Sequence, residues 1–457
     1  MLTAICTLPT TVRDTDNKIR QIESSYLYRT SSPYNIYLLS AIMEQAGHDI
    51  VIKDWISHDF DIDVAVNELL EFDVVMISCP SWTWTPVTYL INHLKARRKD
   101  QVIILGGIHA TLFHEDIMND LPVDYIIVGE GERAVVPLLR AIENKTSPSD
   151  IPGLSYRENG TIHKNPPLPL LTGEEMGRLP LPSYERLPSG ACKWLAIESS
   201  RGCVNSCTFC SEPYKKSWRP LTAEAFVDRM EAFMPYLARV SSGEFLILDD
   251  SFIINVKRAR DIARLLKERN MDIKAVWNGH IKELFEKDML SDLAPYTSGI
   301  LLGTESFDQE TLRKIGKKFS PEDITAGAQV AKDLGLSDKL IFSFIIGFPW
   351  QNKKMIFSEV DKIFDLVSET GGIAIINWLL LTPGSQMWKE YHNKETHNKE
   401  SIAFNHYENH WREWHKELHP EGMKEIIMYI SYLQAMLPKG SYQIQAPTIH
   451  YERICWL

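Results

Sequence analysis

The chain has 457 residues, 44% of them hydrophobic and 24% charged, with a formal net charge of −11. This is a globular composition too long for one ordinary core, so two or three domains are expected, and the acidic balance excludes a broad basic field for nucleic acid. No apolar run approaches roughly 18 residues, as a membrane span would need. The N-terminus MLTAICTLPT lacks the basic flank, apolar stretch and cleavage site of a secretory leader, and seven unevenly spread cysteines do not read as a disulfide framework. A reducing cytoplasm is the expected location.

The first 145 residues alternate two patterns. Short Val- and Ile-rich runs, LTAICTL, DIVIKDW, DVVMISC, QVIILGG and VDYIIVG, predict strands, and segments such as YNIYLLSAIMEQAGH place apolar residues at helical spacing. Five strands alternating with helices predict a Rossmann-like, doubly wound parallel sheet whose ligand site lies beyond the carboxyl ends of the strands. Those ends carry TLPTTVR, SCPSWTWTP, GGIHATLFHED and VGEGERA. Gly106, Gly107, Gly129 and Gly131 there allow a sharp turn or close approach of backbone to a ligand. GEGERA is not a complete dinucleotide fingerprint, and no Walker A sequence occurs.

Residues 146–192 are rich in Pro, Gly and Ser and are expected to connect two domains, with a hairpin at GLSYRENGTIHK turning at Asn159–Gly160. From 193 to 385 the alternation resumes. KWLAIES, EFLIL, IKAVW, SGILLG, KLIFSFIIG and IAIINWLL are six strands separated by helical patterns, which predicts a partial (β/α)6 barrel working at its carboxyl face. Residues 386–457 read as mainly helical. His406 and His410 stand at i, i+4 spacing in a charged, aromatic stretch that reads as a solvated helix face, and Met423, Ile426, Ile427, Ile430 and Leu433 form an apolar stripe suited to docking on the barrel.

The loop after the first barrel strand reads RGCVNSCTFC. Cys203, Cys207 and Cys210 form C-x3-C-x2-C, with no nearby histidine as a fourth ligand. A closed zinc site wants four ligands. Three thiolates suit an iron–sulfur cubane that keeps one iron open for chemistry, with buried thiols or a zinc site completed from elsewhere as the alternatives. Cys6, Cys79, Cys192 and Cys455 read as buried thiols.

With this loop on the first barrel strand, the chain resembles the radical S-adenosylmethionine (SAM) superfamily, and more closely its cobalamin-dependent branch. The resemblance implies that Cys203, Cys207 and Cys210 hold a 4Fe-4S cluster. It implies SAM contacts at Phe209, at Asp249 in LDDSF, at Glu305 and Ser306 in GTESF, and at Gly347 in IIGFPWQ. LTPGSQMW is similar to a late-strand motif of the same branch. The stretch GGIHATLFHEDIMNDLPVDYIIVGEGE resembles the cobalamin-binding domain fused upstream, which implies contacts from Gly106, Gly107, His109, Thr111, Gly129, Glu130 and Gly131. The D-x-H-x-x-G sequence that supplies a cobalt-ligating histidine elsewhere is absent, so cobalamin is expected without one. Trp82 or Trp84 would cover the lower cobalt face, or would instead pack within the core.

The resemblance implies an enzyme that cleaves SAM reductively, takes hydrogen from an unactivated carbon of a small molecule, and transfers a methyl group from methylcobalamin. An external donor such as a flavodoxin or ferredoxin would supply electrons. The alternatives are a cobalamin-dependent rearrangement, cyclisation or atom replacement, and a cobalamin sensor without turnover. Methylthiolation would need three further N-terminal cysteines, and the first 150 residues contain only Cys6 and Cys79.

Overall fold

The computed structural model describes residues 1–9, 11–13, 19–21, 31–56, 60–391, 423–437 and 443–445. They form two compact units, one mainly Met1–Leu195 with Ala238–Ser242, the other including Ala196–Leu237 and Gly243–His392.

In the first unit every predicted strand forms: β1 (Thr3–Thr7), β2 (Ile50–Asp54), β3 (Val74–Ser78), β4 (Val102–Gly106) and β5 (Tyr125–Ile127). They lie parallel in the order β2-β1-β3-β4-β5. β1 is paired on both sides, Thr3 with Ile50 and with Val74. The β1/β3 boundary is the switch point at which open α/β sheets bind ligands. Helices α1 (Tyr34–Gln45), α2 (Ile62–Leu69), α3 (Trp84–Arg97), α4 (Ile108–Leu112), α5 (His114–Asp120) and α6 (Val135–Asn144) connect the strands. The Val/Ile runs are buried because helices cover both faces.

The segment 146–192, expected as a connection, contributes to this unit. β6 (Leu154–Glu158) and β7 (Thr161–Lys164) form the predicted hairpin, with Asn159 and Gly160 both at positive φ. β6 pairs antiparallel with β5, Tyr125 opposite Tyr156. An exposed edge at β5 is thereby covered, which is the physical reason a Pro-rich stretch folds onto the sheet.

The second unit carries β8 (Trp194–Ile197), β9 (Glu244–Ile247), β10 (Ala275–Gly279), β11 (Thr297–Glu305), β12 (Leu340–Ile346) and β13 (Ile373–Trp378) in sequential order. Their parallel pairing gives the partial barrel. The intervening helices are α7 (Ala223–Phe233), α8 (Val256–Glu268), α9 (Lys287–Leu293), α10 (Gln309–Lys314), α11 (Pro321–Asp333) and α12 (Lys353–Thr370). The starts of all but α9 are set by side-chain caps: Thr222, Asn255, Asp308, Ser320 and Asn352 each accept a backbone N–H of the first turn.

Helix α13 (Met423–Met436) buries Ile426, Ile430 and Leu433 as its stripe predicts, and Tyr429 meets Phe357 and Asp361 of α12. A short strand, β14 (Gln443–Gln445), pairs with β13; a helical reading of the C-terminal region does not anticipate it. His406 and His410 lie outside the described residues. Among the described residues no helix is long and apolar enough to cross a membrane.

Candidate functional site

The cysteine loop is built from its backbone outward. β8 is followed by Glu198, which forms a bidentate pair with Arg201 at 2.8 and 2.9 Å. Ser200–Arg201 then pairs antiparallel with Arg219–Pro220. Gly202 follows at φ 80°, where a β-carbon would lie 2.5 Å from the Ser217 carbonyl oxygen and 2.8 Å from that of Tyr214. Only glycine fits this crossing.

Two distant segments hold the loop. Thr208 N–H donates to the Ile315 carbonyl at 3.1 Å, Met387 N–H donates to the Thr208 carbonyl at 3.0 Å, and Thr382 Oγ1 donates to the Phe209 carbonyl at 3.0 Å. Thr382 and Met387 belong to LTPGSQMW, so that motif braces the cysteines. Lys215 Nζ donates to the carbonyls of Cys207, at 3.1 Å, and Cys210.

The sulfurs themselves receive N–H donors. Asn205 N–H lies 3.4 Å from Cys203 Sγ, and Glu212 N–H lies 3.3 Å from Cys210 Sγ. Burial raises the Cys207 and Cys210 thiols, opposed at Cys207 by the Lys317 charge and at Cys210 by the Glu212 N–H. Donors aimed at sulfur and cations beside it favour thiolate, the form that binds iron. Among the described residues no three His, Cys, Asp or Glu side chains are gathered to hold a metal ion. The fit to a cluster therefore rests on this donor chemistry.

The neighbouring acids divide sharply. Asp249, expected to face SAM, is 1% exposed. Its Oδ1 accepts the N–H groups of Ser199 and Ser200 at 2.7 and 2.9 Å, and its Oδ2 accepts both hydroxyls at 2.5 and 2.6 Å. Arg258 is buried beside it and donates to the Ser199 carbonyl at 2.9 Å. The carboxylate is consumed in fixing the entry to the cysteine loop, because strand alternation turns it inward. The next residue, Asp250, is exposed. Desolvation by the surrounding wall, with the charges of Glu212 and Asp249, pushes its carboxyl up to about 7.

Glu305 and Ser306 are also buried. Glu305 pairs with Lys317 Nζ at 3.0 Å. Ser306 Oγ accepts the Asp308 N–H at 3.0 Å, and the buried Glu359 accepts the Phe307 N–H. Gly347 has φ 81°, and its N–H donates to Gln351 Oε1 at 2.8 Å. Phe209 is half-buried and keeps part of its ring open. His280 Nε2 lies 3.2 Å from Asn205 Nδ2, and burial lowers the imidazole to about 4. Lys215, Lys317, His280 and Glu359 escape sequence reading, because none belongs to a spaced motif. The Ser199–Ser200 pair before the loop is the one local signal of the Asp249 network.

In the first unit the expected ligand residues lie at the carboxyl ends of β3, β4 and β5 and in the turns and first helical turns that follow, with Gly106 ending β4 and His109 and Thr111 in α4. Gly107 has φ 94°, and a β-carbon there would stand 3.0 Å from Cys79 backbone atoms. His109 is fully buried, with ring centroids 4.3 Å from Trp84 and 4.8 Å from Phe113, and its Nδ1 is 3.2 Å from Ser81 Oγ. Burial lowers this imidazole to about 3, so it is neutral. Trp84 is 3% exposed, which places it in the core and not as an open cover; nothing is described of the Trp82 side chain. Thr111 Oγ1 accepts the Gly129 N–H at 3.0 Å, and Glu130 Oε2 accepts the Leu171 N–H at 2.7 Å. A β-carbon at Gly131 would meet the Leu39 side chain at 3.7 Å. At Gly106 it would meet nothing within 4 Å, so the end of β4 borders open space. That clearance fits a broad, flat ligand such as a corrin resting on backbone.

Comparison with known proteins agrees with both halves. Residues 27–139 match the model of the B12 binding domain, and residues 197–363 match that of the radical SAM superfamily. An uncharacterized methyltransferase of Pyrococcus horikoshii is 28% identical over 365 residues, covering 77% of this chain and 76% of the relative. The anaerobic magnesium-protoporphyrin IX monomethyl ester cyclase of Rubrivivax gelatinosus is 23% identical over 371 residues, 77% of this chain and 64% of the relative. Among solved structures, the radical S-adenosylmethionine methyltransferase TsrM from Kitasatospora setae, with cobalamin and a 4Fe-4S cluster bound, superimposes with a TM-score of 0.64 at 16% identity, covering 85% of this chain and 74% of that one.

Proposed function

We propose, from the premise that this chain belongs to the cobalamin-dependent radical SAM enzymes, that it methylates an unactivated carbon of a small molecule in a biosynthetic pathway. The observation that carries the reading is the braced cysteine loop at the carboxyl end of the first barrel strand, in one chain with a B12 binding domain. When bound, the cluster supplies an electron that opens SAM, and cobalamin supplies the methyl group.

The chain's own residues hold and orient. Cys203, Cys207 and Cys210 would ligate the cluster, and the Asn205 and Glu212 N–H groups would steady two of the sulfurs. Phe209 would lie against the adenine. Asp250, not Asp249, would meet the methionyl ammonium, since Asp249 has no lone pair turned outward. Glu305, Ser306 and Gly347 would shape the wall of the SAM site through backbone set by Lys317, Glu359 and Gln351. In the first unit Gly106, Gly107, Gly129 and Gly131 would present backbone to cobalamin, with Thr111 and Glu130 fixing their loops. His109 stays in the core, so it would not serve as a ligand to cobalt when cobalamin is bound.

The overall conversion balances as one substrate C–H, two SAM and two electrons from an external low-potential donor. It yields the C–CH3 product, S-adenosylhomocysteine, 5′-deoxyadenosine and methionine. With the true substrate and reductant, the two nucleoside products should rise in about a one-to-one ratio, with labelled methyl in the product, since each turnover uses SAM in two roles. The likeness to the R. gelatinosus cyclase supports a second reading, radical cyclisation without methyl transfer. 5′-Deoxyadenosine coupled to product, with no S-adenosylhomocysteine and no transferred label, would decide for it.

A further inference from the structure

The cysteine loop alternates between its first two thiols. Asn205 turns inward: its N–H and Nδ2 lie 3.4 and 3.7 Å from Cys203 Sγ, and Nδ2 lies 3.2 Å from His280 Nε2. Val204 and Ser206 on either side of it are exposed, Val204 to 46%. An apolar side chain thus stands in solvent on the loop that carries the thiols. Three segments border this stretch through their backbones. Lys216 N–H donates to the Cys203 carbonyl at 2.6 Å. A β-carbon at Gly316 would lie 3.5 Å from the Ser206 carbonyl oxygen and 3.9 Å from Cys207 Cα. Met387 N–H donates to the Thr208 carbonyl at 3.0 Å.

The charge of these segments departs from that of the chain. Residues 211–219, 310–318 and 385–390 carry eight Lys and Arg against three Glu, whereas the whole chain carries 49 Lys and Arg against 60 Asp and Glu. Three of the eight are turned to internal partners: Lys215 to the loop carbonyls, Lys317 to Glu305, and the half-buried Arg219 to the Tyr214 ring at 5.2 Å. Lys216, Arg313, Lys314, Lys318 and Lys389 are exposed. Arg313 and Lys314 share Glu310. Lys216, Lys318 and Lys389 form no ion pair among the described residues.

We infer that this face docks the electron donor, a small acidic redox protein, with Val204 as the apolar centre of the contact and the five exposed cations on the bordering segments as its charged rim. The inference rests on the cluster assignment above. At the contact one electron passes to the cluster: the donor is oxidised by one electron, the cluster is reduced by one, and no bond is made or broken. An acidic partner is repelled by a chain of net charge −11 wherever that charge prevails. Screening shortens the reach of each surface charge to about 8 Å at physiological salt, so a local surplus of cations governs the final approach. Contacts between electron-transfer proteins are small, under about 1,200 Å² of buried surface, and one exposed apolar residue inside a charged rim suits that size. A nucleic acid would need a broader basic field. The place of the patch, on the loop that carries the thiols, selects an electron donor, because the path to the cluster is shortest there.

The test uses the full chain, reconstituted anaerobically with iron and sulfide and mixed in stopped flow with a fully reduced flavodoxin of net negative charge. The parent's rate of cluster reduction should fall steeply as salt is raised. A chain carrying both Lys216→Glu and Lys318→Glu should keep its iron, react about tenfold more slowly at low salt, and lose most of the salt dependence. Photoreduced 5-deazariboflavin, a small neutral donor that needs no docking face, should reduce parent and variant equally fast. Val204→Asp should slow the flavodoxin reaction alone. An unchanged flavodoxin rate in these variants overturns the inference, and so does equal slowing with both donors. If the double variant loses iron, Lys216→Gln with Lys318→Gln decides by the same comparison. A parent that holds iron and is reduced by deazariboflavin, but whose flavodoxin rate ignores salt, overturns the docking face and leaves the cluster assignment standing. A parent that binds no iron refutes that assignment itself.

Discussion

The two units solve the problem of holding a cofactor in opposite ways. In the first, the side chains that look like ligands are turned inward: His109 packs between Trp84 and Phe113, and Glu130 is spent on the Leu171 N–H. What remains at the open end of the sheet is backbone at glycine. In the second unit, the cysteine side chains are braced by charges: buried Asp249 with Arg258, buried Glu305 with Lys317, and half-buried Lys215 on the loop carbonyls. On the sites proposed above, the difference teaches that a large planar ligand would be admitted by clearance, whereas a small charged cluster would need donors and counter-charges at set distances.

The most severe way to break the second design is Gly202→Ala. Its methyl would collide with two carbonyl oxygens, so the three thiolates would lose their common geometry and iron per chain after reconstitution should fall from about four to near zero. A chain that kept full iron would show that the crossing is not needed. Next in size, Asp249→Ala should destabilise the fold by about 3–5 kcal/mol, because it strips four donors and leaves Arg258 buried without its counter-charge. Denaturant unfolding measures this. Asp250→Asn should unfold like the parent, and calorimetry should show weaker SAM binding. The opposite pattern would return the SAM contact to Asp249.

The first unit responds to acid through its core. His109 is held neutral, with its folded value lowered to about 3 from 6.5. Its contribution is therefore complete above pH 6.5 and is lost as pH falls toward 3, at roughly 1.4 kcal/mol per pH unit. His109→Phe should remove that share of the slope between those limits; an unchanged slope would mean that other groups control acid unfolding. The smallest expected effect sharpens the clearance argument. Gly106→Ala should change stability by less than about 0.5 kcal/mol, since its methyl meets no protein atom. It should weaken cobalamin binding about tenfold, a difference of about 1.4 kcal/mol. Equal affinity would place the ligand elsewhere on the sheet.

Periodicity alone determined much of this molecule. The Val/Ile runs become β1 to β5 and the six barrel strands: β1 and β3 are continuously apolar because both their faces are buried, while β12 and β13 alternate buried and half-buried residues. C-x3-C-x2-C and the glycines at 107 and 129 were legible because thiolate chemistry and positive φ each demand one residue type, whereas the need for glycine at 202 came from the carbonyls of Tyr214 and Ser217 that cross it. The hairpin of 154–164 was legible as a turn, but its pairing with β5 depended on an edge elsewhere in the chain. Tertiary structure decided which of two adjacent aspartates is open, since that depends on Ser199 and Ser200 some fifty residues earlier. It also decided that His109 is core and that Lys317 returns across fourteen positions to Gly303. The physical reason is common to all three. A charge or ring is active or inert according to what buries and bonds it, and those partners come from segments that only the folded chain brings together.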